Sequence, residues 1–246
     1  MIMKKAIVFG LTLLAIVGTV QASLYYQGDL GGISTSGGTA VGSVANSGTI
    51  ADGNPLGLTT SMNLSGFGLG NALQTITLSL NVSGGNNSDL YAYLSCNGQM
   101  VVVLNRIGVS GSTPFGNTGS GLNVTLDSTS GNIHNTAVGL TAGGIYAADG
   151  QNISPLSSAA SFNANGNGSI TLNGTFANVD PNGTWTLFFA DTVTGGGSET
   201  LQGWSLDITA VPEPVNVAMA VFGIIFVVIG GVRSYRRRAS QSFLVG

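Results

Sequence analysis

Residues 75–83, Thr-Ile-Thr-Leu-Ser-Leu-Asn-Val-Ser, alternate polar and apolar side chains without interruption. Because successive side chains of a β-strand point to opposite faces, this alternation places Ile76, Leu78, Leu80 and Val82 on one buried face. Comparable short apolar patterns recur along the chain between Gly-, Asn- and Ser-rich turns, at residues 90–94, 101–104, 122–126, 170–172, 185–189 and 204–208. Seven or more short strands at this spacing predict an all-β fold, an antiparallel β-sandwich or a jelly roll.

The charges are few and are segregated along the chain. Only 7% of the 246 residues are charged, and most of the bases lie at the two ends. Between residues 23 and 214 the single base Arg106 stands against all ten acids, a net charge of −9. A nucleic-acid-binding protein needs clustered Lys and Arg, so this class is excluded for the middle of the chain. One histidine and one cysteine exclude an intrachain disulfide framework and a zinc site built from several Cys and His ligands.

The N-terminus has the pattern of a secretory signal peptide. Lys4 and Lys5 precede an apolar stretch at 6–20, and small residues lead up to a cleavage site between Ala22 and Ser23. The alternative is a retained membrane helix, but fifteen apolar residues are short for a span. Residues 1–22 are therefore predicted to form a signal helix that is removed on export through the inner membrane.

A second apolar segment lies near the C-terminus. Residues 215–232 carry one polar side chain, Asn216, and as a helix they would span about 27 Å of hydrocarbon. Arg233 and residues 236–238, all arginine, follow the segment and are expected to stay in the cytoplasm. The pattern predicts a transmembrane helix with the acidic middle of the chain outside; it does not distinguish a permanent anchor from a temporary one.

The residues before this span favour a temporary anchor. Val-Pro-Glu-Pro at 211–214, an apolar helix and then an arginine run together resemble the PEP-CTERM sorting signal of bacterial surface proteins. In that family an exosortase, a membrane protease-transpeptidase, recognises the motif and cuts near it. The resemblance implies a sorting signal at 211–238, a cytoplasmic tail at 239–246, and delivery to the cell surface or the extracellular space. Its motif residues would be Pro212, Glu213, Pro214, Arg236, Arg237 and Arg238.

The middle of the chain carries a second resemblance. The matching stretches, in order along the chain, are 50–57 (Ile-Ala-Asp-Gly-Asn-Pro-Leu-Gly), 89–94 (Asp-Leu-Tyr-Ala-Tyr-Leu), 103–106, 182–187 (Asn-Gly-Thr-Trp-Thr-Leu) and 201–206 (Leu-Gln-Gly-Trp-Ser-Leu). They resemble the P domain (P/Homo B) found beside the catalytic domain of subtilisin-like proprotein convertases. The resemblance covers residues 46–210 and implies a jelly-roll sandwich, preceded by an N-terminal extension at 23–45. The stretch 157–173 is predicted to be an insertion, and its path is left open.

Calcium is the one cofactor that the residues favour. Asp52, Asp89 and Asp191 lie at predicted junctions of loop and strand, and carboxylate oxygens are the hard ligands that calcium prefers. The alternative is that each carboxylate caps a turn by accepting backbone hydrogen bonds. No stretch matches an EF-hand loop.

Catalysis is not expected. A Ser-His-Asp triad needs a histidine as its base. The only candidate, His134, lies in a polar stretch where we expect an exposed or strand-capping side chain. The two glutamates, Glu199 and Glu213, offer little support for a pair of hydrolytic carboxylates, because one lies in the sorting motif.

Two further residues carry open alternatives. Cys96 is expected to be a half-buried free thiol, the alternative being a link between two chains. Arg106 is expected to offset a carboxylate at the edge of the core, the alternative being a partner contact.

The sequence as a whole predicts a non-catalytic exported surface or extracellular-matrix protein. The alternative is a carbohydrate- or calcium-binding accessory module whose partner is a surface polysaccharide; a small hydrolase ranks last. An exposed flat aromatic platform would favour carbohydrate binding. Burial of Tyr91, Tyr93, Trp185 and Trp204 would favour a purely structural sandwich.

Overall fold

The computed structural model describes residues 23–27, 38–67, 71–136, 139–212, 222–223 and 225–233. The described residues are mainly β. Their strands are β1 Ser23–Gln27, β2 Gly38–Ile50, β3 Leu58–Leu64, β4 Asn71–Gly84, β5 Leu90–Cys96, β6 Gln99–Asn105, β7 Leu122–Asn132, β8 Ile145–Ala147, β9 Gly183–Asp191 and β10 Glu199–Pro212. A short α-helix, α1, covers Leu172–Phe176. Single 3₁₀ turns cover Asn87–Asp89, Ile133–Asn135, Leu140–Ala142 and Ala159–Ser161.

The strands form two sheets. The six-stranded sheet has the order β1-β2-β10-β4-β7-β8, and the four-stranded sheet has the order β3-β9-β5-β6. The pairs β1–β2 and β7–β8 are parallel, and the other pairs are antiparallel. The predicted mainly β fold is thus confirmed, with a mixed six-stranded sheet and an antiparallel four-stranded sheet. Strand β2 begins at Gly38, so the six-stranded sheet includes residues of the predicted N-terminal extension.

One hydrophobic core joins the two sheets. The six-stranded sheet contributes Leu78 and Leu206, and the four-stranded sheet contributes Leu94 and Leu187, all with no exposed surface. The alternation of residues 75–83 accounts for this arrangement, because every second side chain of β4 faces the core. Burial of these aliphatic side chains is the main favourable term for such a fold.

The predicted strand at residues 170–172 is wrong, because Leu172 begins helix α1. The side-chain oxygen of Thr171 accepts a 3.0 Å hydrogen bond from the backbone N–H of Gly174, which is a helix N-cap. Leu172 and Phe176 are four residues apart and are both fully buried on one face of the helix. Residues 170 and 172 are apolar and two positions apart, which is the spacing of a strand. The stretch is too short for the spacing of a helix to be recognised.

The stretch 157–173 packs on the segment that follows β8. The backbone N–H of Asn163 donates to Oε1 of Gln151 at 2.6 Å, and that of Asn167 donates to the carbonyl oxygen of Asp149 at 2.8 Å. Phe162 is buried. The predicted insertion is therefore held against the body of the fold.

Several predicted features lie outside the described residues. They are the signal peptide 1–22 with Ala22, the motif residues Glu213 and Pro214, Arg236, Arg237 and Arg238, the tail 239–246 and much of the predicted span 215–232. Residues 222–223 and 225–233 are helical and are exposed. Across the part of the chain that the structure describes, no helix is long and apolar enough to cross a membrane.

Candidate functional site

Four carboxylates, here called the acidic cluster, gather at one end of the two sheets. Asp191 is the last residue of β9, and Glu199 is the first residue of β10. Asp89 ends the 3₁₀ turn before β5, and Asp52 lies in the turn after β2. Sheet register brings the segments together, since Glu199 pairs with Ile50 of β2 and Leu90 pairs with Asp191. The structure thus places Asp52, Asp89 and Asp191 at the same end of the two sheets, without arranging them around a common point.

The glycine-rich loop 192–198 is hydrogen-bonded to this cluster. Both carboxylate oxygens of Asp52 accept from the backbone N–H of Gly195, at 3.0 and 3.2 Å. The N–H and hydroxyl of Thr192 both donate to the carbonyl oxygen of Asp89, at 2.9 and 3.0 Å. A Cβ atom on Gly196 would lie 2.7 Å from Oδ2 of Asp89, so the loop approaches the carboxylate as closely as it does because residue 196 is glycine.

Three of the four carboxylates of the cluster are buried, Asp52 is exposed, and little positive charge balances them. Asp191 and Glu199 have no exposed surface, and Asp89 is 6% exposed. Burial raises the pKa of Asp89 and of Asp191; for Glu199, burial and then the neighbouring charge of Asp191 raise the pKa to about 8. The charge of Arg106 lowers the pKa of Asp89, but less than burial raises it. The charge of Arg106 thus acts on Asp89 without a close ion pair among the described residues, and its Nε donates to the carbonyl oxygen of Ser88 at 3.4 Å.

Three buried oxygens at this end of the fold accept no hydrogen bond from a fixed donor, although the carboxyl groups of Asp191 and Glu199 lie within reach of each other and can bond through a shared proton. They are Oδ2 of Asp191, Oε2 of Glu199 and Oδ1 of Asn87. The partner oxygens are satisfied: Oδ1 of Asp191 accepts from the N–H of Val193 at 2.9 Å, and Oε1 of Glu199 accepts from the N–H of Asn86 at 3.2 Å. As the side chains are placed, no three His, Cys, Asp or Glu groups of the described residues surround a common point as metal ligands. Glu199 is absent from the predicted ligands, although its place directly after the loop that starts at Asp191 is a signal for it.

His134 is fully buried, so the expected exposed side chain is wrong. Its Nδ1 lies 2.6 Å from Oδ2 of Asp149, and its Nε2 lies 2.9 Å from the carbonyl oxygen of Val109. Burial alone would lower the pKa of His134, but the hydrogen bond and charge of Asp149, with the carbonyl of Val109, raise it above its ordinary value. Both ring nitrogens are therefore engaged, and neither contacts a serine hydroxyl.

The aromatic residues divide between the core and the sheet surface. Trp185 and Trp204 are buried, at 0% and 3% exposure. Tyr91 and Tyr93 are half-buried on the outer face of the four-stranded sheet together with Phe188. The rings of Tyr93 and Phe188 stack at 4.9 Å with 16° between their planes. Their facing surfaces cover each other, unlike a flat platform for a sugar.

Cys96 is a buried free thiol at 2% exposure, so the expected half-buried position is wrong. Burial, followed by the charge of Asp180, raises the pKa of its thiol to about 11. An inert structural cysteine has these properties.

Comparisons with known proteins add little information about the function of this chain. No protein-family model matches the chain, and no curated protein matches its sequence. Among solved structures, the chain is similar to the serine protease of Aeromonas sobria, with a TM-score of 0.39 and 14% identity. The same values hold for that protease in complex with its chaperone. The match covers 69% of this chain and 26% of the protease, so the chain spans about a quarter of the protein it resembles.

Proposed function

We propose that this chain is an exported, non-catalytic surface protein, a P-like β-sandwich of jelly-roll type that an exosortase-type protease detaches from the inner membrane. Delivery would leave it at the cell surface or in the extracellular matrix. The observation that carries the proposal is the position of the last strand. Strand β10 ends at Pro212, the first residue of the Pro-Glu-Pro motif.

Strand β10 lies within the six-stranded sheet, between β2 and β4. Its register runs up to the pair of Pro212 with Asn71. A cut after Pro212 would therefore remove no part of the two sheets. Proline at 212 and again at 214 also limits helix formation, which favours an extended backbone that a protease can bind.

The environment of His134 supports the non-catalytic part of the proposal. In a serine-protease triad, Nε2 of histidine takes the proton of the nucleophile. Here the carbonyl oxygen of Val109 lies 2.9 Å from that atom, and the imidazole has no exposed surface. Burial of Trp185 and Trp204 favours a structural sandwich over the carbohydrate-binding alternative, whereas Tyr91 and Tyr93 are half-buried.

The test replaces Pro212, Glu213 and Pro214 by three alanines, with an epitope inserted in the exposed loop at residues 111–115, and follows the protein by cell fractionation. We expect the variant to stay full-length in the inner membrane, while the parent loses its tail and reaches the surface. The matched control replaces Arg236, Arg237 and Arg238 by lysine, which keeps the cytoplasmic charge and should leave processing unchanged. A triple-alanine protein that still loses its tail and reaches the surface would refute exosortase-type sorting.

A further inference from the structure

We propose that Asn167 and Gly168 form a modification site, at which the folded protein converts Asn167 into aspartate or isoaspartate without the help of an enzyme. The site lies in the predicted insertion 157–173. The reaction consumes only water from the medium and is promoted by hydroxide. It is independent of how the protein is sorted.

The chemistry is that of an asparagine followed by glycine. Glycine has no side chain to shield its backbone nitrogen, so this nitrogen can reach the side-chain amide carbon of the asparagine. Once hydroxide removes its proton, the nitrogen forms a bond to Cγ. The bond between Cγ and Nδ2 then breaks, and Nδ2 leaves as ammonia with a proton from water. One water molecule opens the resulting five-membered succinimide ring at either carbonyl, which gives aspartate or isoaspartate with no oxidation or reduction.

The chain contains five Asn-Gly dipeptides, and the fold distinguishes them. They begin at Asn97, Asn165, Asn167, Asn173 and Asn182. Because glycine follows each asparagine, the five should react at similar rates in the unfolded chain. In the folded protein, a hydrogen bond that holds the asparagine amide or the glycine N–H must break before the reaction.

Two dipeptides are blocked at the asparagine side chain. Nδ2 of Asn97 donates to the carbonyl oxygens of Asp180 and Asn182, at 2.9 Å each. Nδ2 of Asn182 donates to Oδ1 of Asp180 at 2.7 Å and to the carbonyl oxygen of Phe67 at 3.1 Å. Neither amide can turn toward the following glycine while these bonds hold.

Two more dipeptides are blocked at the glycine nitrogen. The N–H of Gly166 donates to the carbonyl oxygen of Asn163 at 3.0 Å. The N–H of Gly174 donates to the side-chain oxygen of Thr171 at 3.0 Å. Oδ1 of Asn173 also accepts from a backbone N–H of strand β4 at 2.9 Å. The attacking nitrogen is therefore engaged in both dipeptides.

Asn167 and Gly168 are open at both groups. Within the part of the chain that the structure describes, neither Nδ2 of Asn167 nor the N–H of Gly168 has a hydrogen-bond partner. Gly168 is exposed and Asn167 is half-buried, so water and hydroxide can reach the site. No atom lies within 4 Å of a Cβ added to Gly168. Nothing therefore shields the attacking nitrogen.

Ser169 favours the reaction at this site. Its hydroxyl and its N–H both donate to Oδ1 of Asn167, at 2.7 and 3.3 Å. Attack on Cγ moves negative charge onto Oδ1, and donors that already point at this atom stabilise the charge. The backbone of Asn167 is fixed at the same time, because its N–H donates to the carbonyl oxygen of Asp149 at 2.8 Å and its carbonyl oxygen accepts from the N–H of Ile170 at 3.1 Å.

The product would change the insertion. Residues 157–173 carry no charged side chain, and either product adds a negative charge there. Isoaspartate also continues the backbone through Cβ and Cγ, so the turn that the N–H of Ile170 closes would contain an extra backbone atom. That turn could not keep its present geometry.

Peptide mapping by mass spectrometry tests the proposal. The full chain in detergent is kept at mildly alkaline pH in H₂¹⁸O and is digested in acid, where the reaction is slow. Replacement of the amide nitrogen by labelled oxygen marks each modified asparagine. We expect Asn167 to react at least about fivefold faster than each of the other four, since each of these must first break a hydrogen bond. An Asn167 that reacts no faster than the other four would overturn the proposal.

The same chain in urea is the control for local sequence. All five asparagines should then react at similar rates, because the hydrogen bonds of the fold are gone. If Asn167 kept the same lead in urea, local sequence and not the fold would select it, and the inference would be wrong.

Two variants identify the reacting groups. Gly168→Ala fits the fold, since Gly168 lacks a positive φ and an added Cβ has free space. Its methyl group crowds the attacking nitrogen, so the rate at Asn167 should fall to that of the other four. An unchanged rate would exclude the succinimide route. Near-ultraviolet circular dichroism of Trp185 and Trp204 verifies that each variant is folded.

Ser169→Ala removes the hydroxyl and should slow the reaction of Asn167 about two- to tenfold in the native protein, the range for one hydrogen bond, but not in urea. Ser169→Thr keeps a hydroxyl and is the matched control, which should react like the parent. Equal rates for the parent and the alanine variant would contradict the role of Ser169.

Discussion

The side chains of His134 and Asp149 form a 2.6 Å hydrogen bond between Nδ1 and Oδ2, and neither has any exposed surface. The carbonyl oxygen of Val109 can only accept, so Nε2 of His134 must carry a proton, and the second proton is shared with Asp149. Asp149 also accepts from the backbone N–H groups of Asn105 and Gln151, at 3.2 Å each. This buried pair therefore joins the end of β6, the loop at Val109 and the segment after β8.

Breaking the pair should be costly. We expect His134→Leu to lower the free energy of unfolding by about 3–5 kcal/mol, because Asp149 would be left as an unpaired buried charge. The double variant His134→Leu/Asp149→Asn should lose much less than the sum of the two single changes. Urea denaturation near pH 6 measures all three. Additive losses would mean that the two side chains do not stabilise each other.

Raising the pH from about 4.5 to about 8 should destabilise the protein. The pKa of Glu199 rises on folding from 4.5 to about 8, so between these values the native state holds a proton that the unfolded state has released. Stability should therefore fall as pH rises through this window, by no more than about 5 kcal/mol. The raised pKa of His134 acts in the same direction, because its stabilisation is complete below about pH 6.5 and is lost as pH rises through the native pKa.

The contribution of Glu199 can be isolated. In excess chelator, Glu199→Gln should flatten the fall in stability between about pH 5 and about pH 8, whereas Asp207→Asn should keep it. Urea midpoints at several pH values provide the comparison. A Glu199→Gln curve parallel to that of the parent would show that this carboxyl group does not hold a proton in the native state.

Cys96 should be unreactive in the native protein. A thiol with a pKa of about 11 is almost entirely protonated near neutral pH, and the thiolate is the reactive form. We expect reaction with a thiol-specific disulfide reagent to be about 100-fold slower, or more, in the native state than in urea. Disulfide-linked dimers of folded protein on a non-reducing gel would contradict the buried position and revive the link between two chains.

Helix α1 can be tested at its cap and in its buried face. Thr171→Ala should cost about 1 kcal/mol through loss of the bond to Gly174. Phe176→Ala should cost about 3–5 kcal/mol, because the ring is fully buried and packs 4.9 Å from that of Trp185. Thermal and urea unfolding measure both. A neutral Thr171→Ala variant would argue for extended backbone at this position.

The sequence predicts correctly the strands whose apolar side chains alternate, and also β6, whose residues 101–104 are apolar throughout. Strands β4 and β9 can be recognised in the sequence because every second residue is a large apolar side chain that faces the core. Strand β2 is less visible, since its stretch Gly38–Ile50 is rich in Gly, Ala, Ser and Thr. Backbone pairing with β10 specifies it, and only the full sheet reveals that pairing.

The same difference applies to the buried polar groups. Asp89 and Asp191 are visible from sequence because each adjoins an apolar strand. Glu199 gains its environment only when β10 enters the sheet between β2 and β4. The contact of His134 with Asp149 joins two loops, and no local pattern of either loop encodes it. The register between strands that are distant in sequence and the packing between loops cannot be predicted from the periodicity of the sequence.

The length of strand β10 separates its two ends. The strand runs for fourteen residues from Glu199 to Pro212, a length of roughly 40 Å at about 3.3 Å per residue. Its two ends therefore face different surroundings. If the chain is anchored through residues 215–232, as proposed, the end at Pro212 would lie nearest the lipid headgroups. The carboxylates around Glu199 would then stand at the far tip, beyond the negative surface potential of the membrane, where they meet the ions of the external medium first.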